Sequence, residues 1–370
     1  MQQEAFVAFD VTPLQNGHRF RGIGTYVRGL AAQLQAQDDV AIEFWGWSDD
    51  RPFEPRPPHR AIWLPRAGIP RTRFPSLLRL AMFVRTGASR VAAVHITDPN
   101  ALAAPRKRRL LTTVYDLIPV HLGRAGATRD YRRYLSTLQS AATLFAISQS
   151  TADDLVATLG VPPGRVVVAR PGVDIPARRE AAPVGTRGRY FLYVGSPDPH
   201  KNLAVLLDAI KLRPEMEEKL VITGNWPDAV VSALRSQVES DPLLQGRVEH
   251  VGYVTRQELL SLFRSSTAVV MPSLFEGFGL PVAEAMAAGA AVVHSSLPVL
   301  EEVSAGCALT FAPTSAEELA VCLTRVSTDD LLRLDLISRG QTRAESLTWV
   351  EAVERTLQVY REALRRDGPN

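Results

Sequence analysis

Two cysteines, Cys307 and Cys322, occur in 370 residues, with no Cys-x-x-Cys pair and no histidine cluster at ligand spacing. That scarcity speaks against a disulfide framework and a structural zinc site, and it leaves both thiols as packing residues in a reducing compartment. No apolar run reaches the roughly 18 residues of a membrane span, and the start "MQQEAFVAFD" lacks the basic residues of a secretory signal. A cytoplasmic enzyme is the resulting expectation. No Asp-x-Asp occurs, so the paired carboxylates that would hold a divalent ion on a phosphorylated ligand are missing. Lysine is scarce as well, four against 38 arginines. Acidic residues are absent between Glu54 and Asp98, where Arg56, Arg60, Arg66, Arg71, Arg73, Arg79, Arg85 and Arg90 all fall.

The net charge of +3 hides an asymmetry. Residues 1–180 carry 24 basic and 15 acidic residues, a balance of +9, whereas residues 181–370 carry 18 and 24, a balance of −6. A basic front half points to an anionic partner: phosphate, lipid headgroup or nucleic acid. The length suits two domains better than one core. Short apolar runs alternate with helical stretches in both halves, from "AFVAFDV" to "VVVARPGVD" and again from "YFLYVG" to "ALTFAP". Such alternation predicts two doubly wound α/β domains with mainly parallel sheets. The aperiodic "IPARREAAPVGTRGR" between them predicts a boundary near residue 185, giving domains over 1–184 and 185–347. Capping boxes are predicted at Thr255/Glu258, Ser315/Glu318 and Thr348/Glu351. The last of these opens a helix over 348–370, whose stripe of Trp349, Val353, Leu357, Tyr360 and Leu364 must cover an apolar surface.

The stretch "SLFEGFGLPVAEAMAAG" concentrates the chemistry. A strand "AVVMPS" enters it, Pro281 opens a helix and Gly289 closes it. The turn before that helix is expected to present unpaired backbone N–H groups and the positive end of a helix dipole, a place for phosphate or a sugar oxygen. Gly277 and Gly279 remove side chains that would hold a ligand off the backbone. Glu276 stands before the turn and Glu284 about one helical turn beyond it, each able to accept ligand hydrogen bonds. Acidic residues also favour helix starts, a reading that stays open for Glu284 by itself.

The whole string resembles the signature of the family 4 glycosyltransferases, two glutamates with seven residues between them in E-G-F-G-L-P-x-x-E-A-M-A-x-G. The resemblance implies the GT-B fold: two Rossmann-like doubly wound domains facing a cleft, the first binding the acceptor and the second a nucleotide sugar, with the C-terminal helix crossing back to the N-terminal domain. "YVGSPDPHKNL" is similar to the first strand, loop and helix of the family's donor domain, which puts Gly195 and Ser196 at the strand end and Lys201 where a lysine neutralises the diphosphate. Many relatives carry an arginine where Ser196 stands, so Lys201 must do more here. "RFRGIGTYVRGL" resembles the loop that closes over the donor phosphates, assigning Gly22, Ile23 and Gly24 to it; glycines also suit helix starts for packing. "TTVYDLIPV" is similar to a strand end that relatives write with His-Asp near the transferred sugar, so Tyr115 replaces the imidazole while Asp116 is kept, as a site residue or a strand-end cap. "AISQSTADDL" marks Ser148 as a further residue of that vicinity.

By this resemblance Glu276, Lys201 and Asp116 are the candidate catalytic residues. The donor site comprises Gly22, Ile23, Gly24, Gly195, Ser196, Lys201, Glu276, Gly277, Phe278, Gly279, Leu280 and Glu284. No metal and no cofactor is expected: Lys201 and the amides around Phe278 to Leu280 would neutralise the departing diphosphate. The implied reaction is retaining transfer of a hexose, with mannose from GDP-mannose favoured, to a saccharide acceptor in cell-surface polysaccharide synthesis. A UDP- or ADP-sugar donor, a nucleotide-sugar 2-epimerase and a double displacement through Glu276 remain alternatives. "FPSLLRLAMFVR" reads either as a core helix or as a basic, apolar helix on an anionic bilayer. The second reading would make the acceptor lipid-linked and the enzyme peripheral on the inner face of the plasma membrane. Nucleic acid is not expected as a partner, because no aromatic-rich surface or reading motif accompanies the arginines.

Overall fold

The computed structural model describes residues 5–47, 51–52, 60–64, 90–98, 109–123, 129–176 and 190–367. The chain divides into two compact units, Met1–Gly172 with Trp349–Asn370, and Val173–Thr348. The boundary expected near 185 and most of the arginine zone of 56–90, including "FPSLLRLAMFVR", lie outside the described residues.

The first unit holds a seven-stranded sheet in the order β3-β2-β1-β4-β5-β6-β7. Its strands are β1 Phe6–Asp10, β2 Ile42–Trp47, β3 Arg60–Leu64, β4 Val91–Ile96, β5 Arg109–Val114, β6 Thr143–Ala146 and β7 Val166–Val168. Every pairing is parallel. Residues of β1 and β4 are buried throughout, which explains their continuous apolar runs: helices cover both faces of a parallel sheet. The second unit carries β8 Tyr190–Val194, β9 Lys219–Thr223, β10 Val248–His250, β11 Ala268–Met271, β12 Val292–Ser295 and β13 Leu309–Phe311. Their order is β10-β9-β8-β11-β12-β13, again all parallel. Its core packs Phe191, Ile210, Ile222, Val270, Val293, Leu323 and their neighbours.

The final helix, Val350–Asp367, belongs to the first unit and lies against β1, β4 and β7. Trp349, Val353, Leu357 and Tyr360 are buried as the stripe predicts, whereas Leu364 is half-buried. Full burial of a large apolar side chain such as Leu357 contributes about 2 kcal/mol. Gly29 makes room for the indole, since a Cβ there would sit 2.0 Å from a ring atom of Trp349. Below it the Tyr360 hydroxyl meets His95 Nδ1 at 2.6 Å, and His95 Nε2 meets Thr113 Oγ1 at 2.9 Å. Complete burial pushes the His95 imidazole down to about 3, so it is neutral and both ring nitrogens are satisfied.

Of the three expected capping boxes one forms in full and one in half. Thr255 and Glu258 bond reciprocally at the start of the helix Arg256–Ser265. Ser315 accepts from the Glu318 N–H, although the Glu318 carboxylate turns to the N–H of Ala312. The Thr348 box is corrected: the helix starts at Val350, burial of Trp349 sets that start, and Glu351 pairs instead with Arg170 and Arg355. Among the described residues no helix is long and apolar enough to cross a membrane.

Candidate functional site

Strand order in the second unit reverses at β8, with β9 and β10 to one side and β11 to β13 to the other. Doubly wound sheets bind ligands in the crevice beyond the carboxyl ends of the strands at such a point. Two loops leave there, 195–202 after β8 and 272–279 after β11. Backbone geometry ties them together. Leu274 N–H donates to the His200 carbonyl at 2.7 Å, and the Asn202 amide donates to the carbonyls of Pro272 at 3.0 Å and Pro313 at 2.8 Å. Asn202 takes a left-handed φ of 54°, a conformation Asn tolerates better than most residues.

This clamp brings Lys201 and Glu276, 75 residues apart in sequence, to an Nζ–Oε1 distance of 2.6 Å. Only 19% of the lysine side chain and 7% of the glutamate side chain are exposed. Ser273 Oγ donates to the same carboxylate oxygen at 2.7 Å, and its own carbonyl accepts Ser295 Oγ at 2.6 Å. Among the described residues nothing else bonds the pair, so Oε2 of Glu276 and two of the three ammonium hydrogens remain to be used.

The turn beyond Glu276 is built for backbone donation. Gly279 has φ 92°, and a Cβ there would lie 2.4 Å from Leu300 Cδ2. The Phe278 ring is buried, so this residue can offer a ligand only its main chain. The helix runs Leu280–Ala288, one residue earlier than Pro281 suggested, and ends at Gly289 with φ 82°. Among the described residues no acceptor takes the amides of Phe278, Gly279 or Leu280. Three unpaired donors at a helix N-terminus form an anion or oxyanion cradle beside the Lys201 ammonium.

Glu284 is held separately. Its Oε1 receives Arg256 Nη1 at 2.6 Å, and Arg256 Nη2 lies 3.6 Å from Asp174. Burial raises the Glu284 carboxyl above the usual carboxylate range, Asp174 adds to that, and Arg256 opposes it. Gly195 supplies structure: its carbonyl accepts Trp226 Nε1 at 2.7 Å, and Gly224 must lack a Cβ because one would sit 2.1 Å from that carbonyl. Ser196 Oγ donates to Asp198 at 2.6 Å, and the Ser196 carbonyl accepts the Tyr193 hydroxyl at 3.0 Å.

In the first unit Gly22, Ile23 and Gly24 form the first turn of the helix Gly22–Leu34. Gly22 is exposed and Ile23 half-buried, whereas Gly24 is buried so tightly that a Cβ would lie 2.6 Å from the His18 carbonyl oxygen. Tyr115 is buried, its ring edge-on to Tyr26 at 5.7 Å. Asp116 Oδ1 accepts the Ile118 N–H at 3.0 Å, and Ser148 caps the helix Gln149–Leu159 by accepting the Thr151 N–H at 2.9 Å. Both carry a local structural duty. Among the described residues the carboxylates at this unit's own strand-order reversal are Asp10, the last residue of β1, and Asp98, two residues after β4. Asp10 accepts from Thr12 N and Oγ1, Thr97 N and Asp98 N, and burial together with Asp98 pushes it up to about 6.

Sequence reasoning singled out neither Asp10 and Asp98 nor Ser273, Asn202 and Arg256. Ser273 and Asn202 stand inside the quoted strings and Arg256 lies within the Thr255/Glu258 capping box, so each was visible without its contact. Among the described residues no group of three or more His, Cys, Asp or Glu side chains converges on a metal position.

Comparison with known proteins covers both units. The model described as "Glycosyltransferase Family 4" matches residues 20–177, and that described as "Glycosyl transferases group 1" matches residues 174–343. O-antigen chain mannosyltransferase B of Escherichia coli is 28% identical over 282 residues, covering 71% of this chain and 73% of that protein. D-inositol 3-phosphate glycosyltransferase of Paenarthrobacter aurescens strain TC1 is 28% identical over an alignment of 401 positions, covering 97% and 98%. Among solved structures, sucrose-phosphate synthase from Thermosynechococcus elongatus superposes with a TM-score of 0.77 at 20% identity, over 98% of this chain and 100% of that one.

Proposed function

The chain belongs to the family 4 glycosyltransferases of GT-B fold, and from that premise we propose that it moves mannose from GDP-mannose to a saccharide acceptor with retention of anomeric configuration. The observation that carries this reading is the Lys201–Glu276 pair at 2.6 Å beside three unpaired amides at a helix start. Departure of a diphosphate from an anomeric carbon builds negative charge on phosphate oxygens. Preorganised donors and an ammonium stabilise that charge without reorganising. Lys201 and the amides of Phe278, Gly279 and Leu280 would take the diphosphate, while Glu276 Oε2 would accept from hydroxyls of the sugar and Glu284 from the ribose.

In this proposal the bond from C1 to the β-phosphate oxygen breaks as the acceptor oxygen bonds to C1 on the same face. The acceptor proton passes to the departing phosphate oxygen, and no protein nucleophile or metal ion takes part. Mannose as the sugar and an O-antigen-like acceptor rest on the similarity to O-antigen chain mannosyltransferase B, whereas a lipid-linked acceptor rests on reading "FPSLLRLAMFVR" as a basic, apolar membrane segment. The similarity to D-inositol 3-phosphate glycosyltransferase favours a second reading, transfer to a phosphorylated polyol, which the basic charge of the front half suits. Peripheral contact with an anionic membrane belongs to the first reading and rests on the arginines of 56–90 alone.

The test screens GDP-mannose, GDP, UDP-sugars and ADP-sugars for thermal stabilisation with and without EDTA, then repeats the best ligand on Glu276→Ala and Lys201→Ala. Selective stabilisation by GDP-mannose that survives EDTA and is lost in both variants is expected. Stabilisation only by UDP- or ADP-sugars would reassign the donor, and dependence on magnesium would remove the proposed role of Lys201.

A further inference from the structure

Glu284 sits on the helix Leu280–Ala288 with 12% of its side chain exposed, and its cation comes from outside that helix. Arg256 is the first residue of the helix Arg256–Ser265, and the reciprocal Thr255/Glu258 box fixes that helix start. Its Nη1 reaches Oε1 of Glu284 at 2.6 Å, and its Nη2 lies 3.6 Å from Asp174, in the segment after β7. Arg256 and Asp174 are the charged groups among the described residues that act on Glu284, one from the helix packed against its own and one from that segment. A carboxylate offers about four acceptor positions, and Arg256 occupies one of them. Among the described residues nothing else bonds the group, which leaves Oε2 and the second lone pair of Oε1 for a ligand.

We propose that Arg256 is a positioning residue for nucleotide binding: by holding one oxygen of Glu284 it orients the carboxylate and presents the remaining acceptor positions to a vicinal diol. This inference rests on the reading that Glu284 accepts from the nucleotide ribose. The arrangement answers a problem of burial. An enclosed carboxylate without a cation drifts toward its protonated form, in which one oxygen becomes a donor and the match to two hydroxyl donors is lost. Arg256 opposes that drift while meeting Glu284 from its guanidinium edge. The half-exposed guanidinium also lies 3.6 Å from the exposed Asp174 carboxylate, while its bond to Glu284 is the one that holds it.

The experiment titrates GDP and, separately, UDP into the full chain by calorimetry from pH 5 to 8.5. The proteins are wild type, Arg256→Gln, Arg256→Lys, Glu284→Gln and the Arg256→Gln/Glu284→Gln double variant, with thermal unfolding as a check of folding. For the better-bound nucleotide, Arg256→Gln is expected to bind about ten-fold more weakly at neutral pH, the equivalent of one hydrogen bond from the diol to a carboxylate that is no longer held in place. Its affinity should begin to fall at a higher pH than that of wild type, because Glu284 protonates sooner without its cation. Arg256→Lys should recover most of the affinity and restore the wild-type pH profile. The double variant should bind as Glu284→Gln does, since Arg256 acts through Glu284. Equal or tighter binding by Arg256→Gln, or losses that add in the double variant, would overturn the inference. Wild-type affinity in Glu284→Gln would instead overturn the ribose reading beneath it.

Discussion

Replacing Lys201 by methionine keeps an unbranched stem one atom shorter and removes the charge, so two consequences can be separated. The first concerns stability. Glu276 would be left with Ser273 as its partner and with 7% of its side chain exposed. At an effective dielectric of about 20, unit charges some 3 Å apart interact by about 5 kcal/mol. The 19% exposure of the lysine lowers that figure, and removing one partner of a buried pair typically costs about 3 kcal/mol. For a unit of this size each 1 kcal/mol corresponds to about 2–4 °C, so the melting temperature should fall by about 6–12 °C. The second consequence concerns the reaction. Losing a donor aimed at developing charge lowers kcat by about 100- to 1,000-fold, and in the proposed reaction Lys201 would supply such a donor. Adding Glu276→Gln to Lys201→Met neutralises the stranded carboxylate. Most of the lost stability should therefore return while activity stays low. The assays are calorimetric unfolding and transfer from the donor that the thermal screen identifies. A Lys201→Met variant with unchanged melting and kcat/KM within three-fold of wild type would refute both the ion pair's weight and the role in leaving-group stabilisation.

Two further expectations concern the scaffold. His95 has a folded pKa lowered to about 3 from 6.5, so it binds a proton in the unfolded chain before the native one. Its contribution is complete above about 6.5 and is lost by about 1.4 kcal/mol per pH unit as pH falls toward 3. Asp10, raised from 3.8 to about 6, acts with the opposite sign between those values and masks the effect in the wild-type curve. Urea unfolding of wild type minus His95→Gln should isolate the slope, and a difference that does not change with pH would show that His95 is protonated inside the fold. Gly279→Ala meets φ 92° and a Leu300 methyl group 2.4 Å from the new Cβ. The backbone alone costs about 1–2 kcal/mol, and the variant should lose nucleotide-induced stabilisation, read as the melting shift with added GDP. Normal stabilisation by GDP would mean that the turn before the helix is not the cradle.

Much of the fold was legible because parallel strands buried on both faces leave uninterrupted apolar runs, as β4 does from Val91 to Ile96. The Gly277 to Gly289 string was legible for a local reason. A turn with φ 92° and a helix exit with φ 82° demand glycine at fixed places, and Pro281 suits the first turn. The contact between Lys201 and Glu276 was not legible from the residues themselves. It exists because β8 and β11 are sheet neighbours and Asn202 bonds across the two loops, and pairing at that separation leaves no local trace. Lys201 stood out through family resemblance and through the rarity of lysine, neither of which specifies a partner. Tertiary packing also overrode a local signal at Thr348, where the buried indole of Trp349 set the helix start. Ser148 shows the opposite case, a residue marked by its string whose hydroxyl accepts the N–H of Thr151 at a helix start.

Both glutamates of the signature have a cation of the protein beside them, Glu276 with Lys201 and Glu284 with Arg256. That arrangement constrains how a diphosphate could bind. Drawing Lys201 fully away from Glu276 would uncover a buried carboxylate at a cost of several kcal/mol, comparable with what a phosphate contact returns. Binding is therefore more favourable when the ammonium keeps its 2.6 Å contact and turns its two remaining hydrogens to the phosphate, while the amides of Phe278, Gly279 and Leu280 add donors that carry no such penalty. In the proposed reaction a sugar hydroxyl donating to Oε2 of Glu276 would further stabilise the carboxylate that Lys201 shares with the phosphate. A donor that still carries its sugar thus gains contacts at both ends of one ion pair, whereas the departing diphosphate keeps only one. The same ion pair would then favour the intact donor over the spent nucleotide.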